Sequence, residues 1–403
     1  MNTKPQIIFT TPIFEYPTVH GPSLRIVNSL IALSKVAKVT LLLTKNSSTK
    51  PSVVQEFARK YNINYVTNPN LIISSLKFTS IIDLLNVFQI NKLAKKYSTD
   101  IIWLGYGCMN IGLLKYFKLL KPKMKLICDT DSVQSRYFLR GLSYIKNKTL
   151  HSKYLRLGNS IAKSEKIMIN FADITLAVSE VDQQYYQGIC SNPKKIQLLY
   201  NALDIKKYVK LPDPGFLHPT IILTGWYGKG SPMEDGAKWV ISKVWPLVLK
   251  EYPLAHLYLI GKGSTSTIYE SSSQNIHVLG EVVDMVPYLT NADISVVPLR
   301  FESGTRFKIL EASASMVPVV TTTLGVEGLQ LTNETDILVA DNPSLFAASI
   351  IRLLKNKSLR NRLIKNARTI INQKYSLKVV EKQARDIISK YICTNNLREG
   401  TKC

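Results

Sequence analysis

Four residues carry the strongest chemical signal in this sequence: Gly304, Arg306, Lys308 and Glu311. The surrounding pattern predicts a short apolar strand, a polar loop and then a helix over about residues 305–315. The amino end of a helix carries partial positive charge and N–H groups without partners, which suits a phosphate group. Cations are unfavourable in a first helical turn on dipole grounds alone. Arg306 and Lys308 therefore indicate an anion site.

Glu311 extends this hypothesis from phosphate to sugar. Lys308 and Glu311 are three residues apart, so they share one face of the predicted helix. Such a helix would offer N–H groups and cations to a diphosphate, and a carboxylate to sugar hydroxyls. The structural alternative is an exposed Lys308–Glu311 salt pair beside a solvated Arg306. The combination with Gly304 at a strand–loop–helix junction favours the anion site.

A second glycine-rich loop opens the C-terminal half of the chain. The predicted strand 220–224 runs into Gly225, Gly228 and Lys229, and a helix is predicted over residues 233–251. Glycines let a backbone approach a ligand closely, and a lysine there can reach a phosphate. Short apolar strands alternate with helices along the chain, which predicts parallel α/β sheets with binding loops at the strand carboxyl ends.

Length and composition fit two domains. A chain of 403 residues is too long for one ordinary core. The sequence contains no apolar run of about 18 residues, so we expect no transmembrane helix. The start of the sequence lacks the apolar region of a signal peptide, so we expect none. The five cysteines are odd in number and form no Cys-x-x-Cys pair. A disulfide framework or metal site is therefore not expected, and the cytoplasm is the expected location.

The net charge of +24 is concentrated in the first half of the chain. Residues 1–200 carry 27 basic and 10 acidic residues, a balance of +17, and residues 115–166 carry 13 basic and 3 acidic. Such a surface attracts polyanions, either nucleic acid or an anionic membrane. No nucleic-acid-binding motif is present, which favours attachment at the inner face of a membrane over nucleic acid. A solvated basic face is the alternative.

Two short motifs lie at predicted strand ends in the first half. His20 and Gly21 follow the first strand, and we expect this loop to line a cleft, although a lone histidine is more often structural. Asp129 and Asp131 follow the strand 125–128. An Asp-x-Asp pair could bind Mg²⁺ or Mn²⁺, but carboxylates alone do not specify a metal. We interpret Asp131 as a residue that lines the cleft and expect no metal.

The segment from Val297 to Leu329 resembles the C-terminal signature of retaining glycosyltransferases with the GT-B fold, the group 1 or family 4 enzymes. The strand, the Gly304 loop, the Leu-Glu-Ala helix and the Pro-Val-Val strand recur together in that family. The block 200–204 resembles the signature that ends its first domain. The resemblance covers about residues 5–392 and is strongest from 196 to 330.

The resemblance implies an α/β fold of two facing Rossmann-like domains with an interdomain cleft. The implied division is an acceptor domain 1–203, a linker 204–219, a nucleotide-sugar donor domain 220–375, a helix 376–392 that crosses back to the first domain, and a tail 393–403. The implied activity is sugar transfer, with retention, from a nucleotide diphosphate to an acceptor hydroxyl. A lipid-linked or polysaccharide acceptor in envelope assembly fits the basic charge.

The resemblance also assigns roles to individual residues. Arg306, Lys308 and Lys229 would stabilise the departing diphosphate, Glu311 would bind ribose hydroxyls, and Val283 would lie in the loop that holds the base. The donor would further contact Gly225, Gly228, Glu302, Ser303, Gly304 and Thr305, and the acceptor side would include His20, Gly21 and Asp131.

Two departures from the family pattern leave alternatives open. The family often has two glutamates with seven residues between them, but Ser303 occupies the first position and Glu302 precedes it. Trp226 stands near where an arginine of the first glycine loop is common. A sugar-nucleotide epimerase or a non-catalytic binding protein could use the same scaffold, since a fold does not fix a function.

Overall fold

The computed structural model describes residues 4–18, 21–44, 49–67, 79–99, 101–107 and 111–396. The chain forms two compact units. One comprises residues 1–202 together with 377–403, and the other comprises residues 203–376. Each unit is a parallel sheet covered by helices, which confirms the predicted α/β class.

The first unit contains a seven-stranded sheet in the order β3-β2-β1-β4-β5-β6-β7. Its strands are largely buried apolar runs, as parallel sheets require when helices cover both faces. Ile102, Leu104 and Leu126 pack against Leu114, Phe117 and Met168 of the helices. The strands are β1 Gln6–Thr11, β2 Lys38–Leu43, β3 Asn64–Tyr65, β4 Ile101–Gly105, β5 Lys125–Asp129, β6 Ile174–Ala177 and β7 Ile196–Leu198.

The helices of this unit begin where the sequence supplies caps. Ser179 caps α7 by accepting from the Asp182 amide. The helices are α1 Gly21–Val36, α2 Pro51–Lys60, α3 Thr79–Lys96, α4 Ile111–Leu120, α5 Gln134–Gly141, α6 Lys148–Phe171, α7 Glu180–Ile189 and, after the second unit, the helix Leu377–Asn396. This last helix packs against α1 and is longer than the predicted span of 376–392.

The second unit repeats the topology with six strands in the order β10-β9-β8-β11-β12-β13. Both sheets therefore follow the Rossmann order 3-2-1-4-5-6. Phe216 and Tyr258 form a core with Ile222, Ile260 and Leu289. The strands are β8 Thr220–Thr224, β9 His256–Ile260, β10 Ile276–Gly280, β11 Ile294–Val297, β12 Val319–Thr321 and β13 Leu338–Val339.

The predicted helix 233–251 is interrupted by a wide turn. Residues Val240–Val244 form a π-helical turn between α8 and α9, next to Pro246, which has no N–H to donate to the preceding turn. The helices of the second unit are α8 Pro232–Trp239, α9 Trp245–Glu251, α10 Ser264–Thr267, α11 Val286–Asn291, α12 Phe307–Ala314, α13 Thr323–Val326, α14 Pro343–Lys355 and α15 Lys357–Lys374; the helix Leu377–Asn396 is α16.

The predicted start of the key helix was wrong by two residues. Gly304 has a φ of +75°, and Arg306 occupies the cap position with extended backbone angles, so α12 begins at Phe307. The extended backbone of Arg306 keeps this residue and Thr305 outside the helix, so the loop that turns at the left-handed Gly304 extends to Arg306. Lys308 is in the first turn as expected, but Arg306 precedes that turn. In the described part of the chain, no helix has the length and apolar content needed to span a bilayer.

Candidate functional site

The candidate site lies where the chain order of the second sheet reverses. Strand β8 pairs with β9 on one side and with β11 on the other, so the loops that follow β8 and β11 leave neighbouring strands at the same edge. Open α/β sheets bind ligands outside the carboxyl ends of the strands at this switch point. Both sequence-predicted loops, 225–230 and 298–306, begin there.

Direct contacts join the two loops through α8. The Arg300 guanidinium donates to both carboxylate oxygens of Asp235, with distances of 2.8 Å from Nε and 2.5 Å from Nη2. Gly236 lies against the Pro298 carbonyl, because a Cβ at Gly236 would be 2.6 Å from that oxygen. The bidentate pair and the close helix approach hold the two loops in one arrangement.

Lys308 extends from the first turn of α12 to the glycine loop. Its Nζ is 2.9 Å from Sδ of Met233, and a Cβ at Gly225 would lie 3.2 Å from the same nitrogen. Burial lowers the pKa of Lys308 to about 8; the nearby Arg306 charge lowers it further, while Glu302 and Glu311 oppose the shift. A partly desolvated ammonium beside a glycine backbone is suited to binding an anion.

Arg306 is a buried cation at the amino end of α12. Its side chain is 4% exposed, and its Nη2 donates to the Leu324 carbonyl at 3.1 Å. The guanidinium is therefore not solvated, which contradicts the structural alternative considered for it. Its fixed position at a helix amino end keeps positive charge where an anion would bind.

Glu311 lies one turn further along α12 and is held by a tyrosine. The Tyr208 hydroxyl donates to Oε1 of Glu311 at 3.0 Å. Burial raises the pKa of Glu311 to about 7, although the Tyr208 hydrogen bond and the Lys308 charge oppose this shift. The exposed salt pair with Lys308, which was the structural alternative, is not formed, since the carboxylate is half-buried and bonded to Tyr208.

The glycine loop after β8 is supported from the neighbouring strand. A Cβ at Gly261 would be 1.9 Å from the Gly225 carbonyl oxygen, so this contact requires glycine. The Tyr227 amide donates to the Lys262 carbonyl, and the Ser231 hydroxyl caps α8 by accepting from the Glu234 amide. Gly228 is half-buried and Lys229 is exposed. Among the described residues, no carboxylate forms an ion pair with Lys229.

The remaining predicted donor residues fall into two groups. Glu302, Ser303, Gly304 and Thr305 form the loop directly before Arg306, where the Ser303 amide donates to the Glu302 carboxylate at 3.1 Å. Val283 lies in the segment between β10 and α11 and is fully exposed. The structure thus brings the loop residues to the edge that carries Lys308 and leaves Val283 open to solvent.

In the first unit, Asp129 has a structural environment. Its carboxylate accepts from the buried Arg25 Nη2 at 2.6 Å and from the Trp103 Nε1 at 3.0 Å. Arg25 also donates to the carbonyls of Leu199 and Tyr200, so it ties β5 to the segment after β7. A guanidinium bound to Asp129 disfavours a second cation there, which weakens the Asp-x-Asp metal hypothesis.

Asp131 and Gly21 lie at the carboxyl edge of the first sheet. Burial raises the pKa of Asp131 to about 7, while a hydrogen bond from Tyr106 and the charge of Arg25 oppose the shift. Tyr106 directly follows β4 with a φ of +59°. Gly21 is the half-buried first residue of α1. The prediction for His20 lies outside the described residues.

Sequence reasoning missed the side chains that hold these groups: Arg25, Tyr106, Tyr208, Met233 and Arg300. Each acts on a residue far away in sequence, except for Tyr106. One signal was available, since Arg25 stands among the apolar residues Leu24, Ile26 and Val27.

One family of known proteins matches part of this chain. Residues 218–356 match the family described as "Glycosyl transferases group 1". The matched segment contains both loops and α12. The match covers most of the second unit, residues 203–376, and includes no residue of the first unit.

Two curated relatives have distant sequence similarity. CapM of Staphylococcus aureus, a capsular polysaccharide biosynthesis glycosyltransferase, is 25% identical over 287 residues, 69% of this chain and 66% of the relative. An uncharacterized protein of the cps region of Klebsiella pneumoniae is 27% identical over 155 residues, 36% of this chain and 40% of the relative. The aligned parts thus span from two fifths to just under two thirds of these relatives.

Solved structures share the complete architecture. Sucrose-phosphate synthase from Thermosynechococcus elongatus has a TM-score of 0.74 at 14% identity, with 96% of this chain and 100% of that chain covered. HepE of Anabaena, solved with UDP and glucose, has a TM-score of 0.65 at 14% identity with the same coverage. The relationship confirms the predicted GT-B fold.

Proposed function

We propose that the protein is a glycosyltransferase that moves a sugar from a nucleotide-diphosphate donor to an acceptor hydroxyl. The observation that carries this proposal is the placement of Lys308 and Glu311 on one short helix, with Arg306 directly before it, at the switch point of the second sheet and within the segment that matches the group 1 glycosyltransferases. Two cations and a carboxylate at this edge match the two chemical parts of such a donor, its diphosphate and its sugar hydroxyls.

The cations would act on the leaving group. Breaking the bond between sugar and phosphate places negative charge on the departing diphosphate. Arg306 and Lys308 are fixed by burial, and they stabilise that charge more in the transition state than in the ground state. Lys229 is exposed on the glycine loop and would reach the diphosphate from the other side of the switch point.

We assign retention of the anomeric configuration to same-face attack. In this mechanism the acceptor hydroxyl approaches from the side of the leaving phosphate, which takes the acceptor proton. Arg306 and Lys308 hold the phosphate where it can do so, and neither a protein nucleophile nor a metal is required. Glu302, Ser303 and the Gly304 backbone would contact the donor hexose, while Glu311 would bind the ribose hydroxyls.

The acceptor would bind to the first unit. Gly21 and Asp131 lie at its carboxyl sheet edge, with Tyr106 beside Asp131. We propose a lipid-linked or polysaccharide acceptor, in surface polysaccharide or glycolipid synthesis, because residues 1–200 carry a charge of +17 and CapM acts in capsule synthesis. An acceptor on a lipid would place the enzyme at the inner face of a membrane.

Donor binding can be tested by thermal unfolding across a panel of sugar nucleotides. A ligand at a hundred times its Kd stabilises the folded state by about 2.7 kcal/mol, so the matching donor should raise the Tm by several degrees. Glu311→Gln should reduce this shift.

Incubation of the matching donor with acceptor fractions, followed by NMR of the product anomer, then tests both transfer and retention. A donor that binds but is only converted to an epimer without any acceptor would refute transfer.

Chelation tests the proposal that no metal takes part. We expect transfer to continue in EDTA, because Arg306, Lys308 and Lys229 supply the positive charge that a metal would otherwise provide. Initial rates with EDTA, and with EDTA followed by Mn²⁺, measure this directly. Complete loss of activity that Mn²⁺ restores would contradict the proposal and return Asp129 and Asp131 to consideration as ligands.

A further inference from the structure

The helical hairpin of α5 and α6 presents an unusual surface on the first unit. Between residues 132 and 164 the sequence contains seven basic residues and no acidic residue. The first half of α6 is exposed along almost its whole length, and it includes Lys153, Arg156, Leu150 and Leu157. Leu150 and Leu157 are 41% and 39% exposed. Cations and large apolar side chains therefore share one solvent-exposed surface.

The spacing of these residues makes the surface amphipathic. Leu150, Lys153 and Leu157 are separated by three and four residues, so they follow one another along one stripe of the helix. Arg156 and Lys163 lie on the adjacent outer face and are also exposed. Long basic side chains can keep their charged ends at the level of lipid headgroups while leucines beside them enter the acyl boundary.

The hairpin is rigid enough to present this surface without rearrangement. The Phe138 and Tyr154 rings contact each other with centroids 5.4 Å apart. Glu165 of α6 accepts from the amide and hydroxyl of Ser135 in α5. The Asn147 side chain caps α6 by accepting from the Leu150 amide at 2.9 Å. The exposed leucines are thus held on a folded element and need no ordering when they meet a partner.

We propose that residues 146–163, which comprise the start of α6 and the two residues before it, are a docking surface for an anionic lipid bilayer. Its charge matches anionic headgroups, and its leucines match the acyl boundary. A soluble polyanion such as RNA would use the cations but would gain nothing from the leucines. This inference rests on the proposed function in one respect: a transferase with a lipid-linked acceptor has a reason to bind a membrane.

Charge reversal tests the electrostatic part. Full-length protein should bind phosphatidylcholine vesicles that contain phosphatidylglycerol, and binding should weaken as salt rises. Each cation near such a surface contributes about 1 kcal/mol, so Lys153→Glu with Arg156→Glu should weaken binding at least roughly 30-fold. The matched control is Lys357→Glu with Lys365→Glu on exposed positions of α15, which makes the same charge change and should weaken binding far less. Equal effects of the two pairs would overturn the surface assignment.

Replacing the exposed leucines of α6 distinguishes binding to a bilayer from binding to a soluble polyanion. Leu150→Ser with Leu157→Ser should reduce binding to anionic vesicles severalfold and leave binding to single-stranded RNA unchanged. Leu254→Ser with Leu345→Ser removes two other exposed leucines and should leave vesicle binding unchanged. Equal binding to neutral and anionic vesicles, or vesicle binding that is insensitive to the α6 leucines, would refute the proposal.

The donor-induced Tm shift of each variant should equal that of the wild-type protein, so a failure of the docking surface is distinguishable from a failure of the proposed transferase function.

Discussion

Replacement of Arg306 by alanine should lower kcat on the order of 100- to 1,000-fold, the usual effect of removing one fixed donor from a site where negative charge develops. Arg306 is buried at the amino end of α12, so its charge cannot be replaced by a neighbouring side chain or by bulk water without rearrangement. Arg306→Lys should recover part of the rate, because it restores the charge but not the planar donor geometry. Single-turnover kinetics with saturating donor would measure the chemical step.

The same substitution also removes a structural hydrogen bond, and a matched variant separates the two effects. Arg306 donates to the Leu324 carbonyl, while Arg368 of α15 donates to the Ala314 carbonyl at the other end of α12. Arg306→Ala removes the charged donor of the Leu324 carbonyl, which keeps the Glu327 amide as a donor, and Arg368→Ala removes the charged donor of the Ala314 carbonyl. Each loss should cost about 1–3 kcal/mol of unfolding free energy. Arg368→Ala should lower stability in urea unfolding while kcat stays within a few-fold of wild type. An unchanged kcat in folded Arg306→Ala protein would show that the assigned role is wrong.

The pH dependence of kcat/KM should be a narrow bell with its maximum between about pH 7 and pH 8. Burial raises the pKa of Glu311 to about 7 and lowers the pKa of Lys308 to about 8. Below the first value Glu311 is protonated and loses its charge-assisted bonds to hydroxyls. Above the second value Lys308 is neutral and no longer stabilises the diphosphate. Because kcat/KM reports groups of the free enzyme, both limbs reflect the protein without donor.

Three variants identify the groups behind the two limbs. Glu311→Gln should remove the acid limb along with much of the donor affinity. Tyr208→Phe removes the hydroxyl that stabilises the Glu311 carboxylate, so the pKa of Glu311 should rise and the acid limb should move to higher pH. The basic limb, which Lys308 sets, should stay in place. Tyr288→Phe is the matched control, since Tyr288 packs on the same apolar cluster as Tyr208. An acid limb that is identical in Tyr208→Phe and wild type would contradict the assignment to Glu311.

The groups around Glu311 and Lys308 explain why the pKa values of these two residues lie close together. Lys308 is surrounded by Glu302, Arg306 and Glu311, and the desolvation of the ammonium outweighs the two carboxylates. Tyr208 lies between Glu311 and the more distant Asp204 and Asp284, and its own pKa is raised well above the usual value, mainly by burial. Tyr208 therefore stays a hydrogen-bond donor throughout the predicted pH range. The shape of the profile is then set by Glu311 and Lys308 alone among these groups.

Much of the architecture was predictable from local patterns in the sequence. Alternating apolar strands and amphipathic helices predicted parallel sheets, because side-chain periodicity is set by backbone geometry within each element. The Ser179 cap of α7 is a local feature of the same kind, since a cap is satisfied within three residues. The two loops at strand ends were also evident, because glycines and charged residues between a strand and a helix need no distant partner to be recognised.

Local patterns failed where a partner lay far away in sequence. The start of α12 was placed two residues too early, because Arg306 has an extended backbone and its side chain bonds to the Leu324 carbonyl, 18 residues away. Asp129 could be interpreted as a metal ligand until the structure placed Arg25, 104 residues away, at its carboxylate. Tyr208 and Glu311 are 103 residues apart, and nothing in either segment predicts their hydrogen bond.

The sequence by itself determined which residue types stand at the carboxyl ends of the strands, since these residues directly follow each strand in the sequence. Only the tertiary structure decided their electrostatic state. The strand order placed β8 beside β11, and this adjacency brought Lys308 to Met233 and Gly225. Burial in that contact shifts the pKa of Lys308 towards neutrality, and desolvation depends on packing from every side, which no linear spacing encodes.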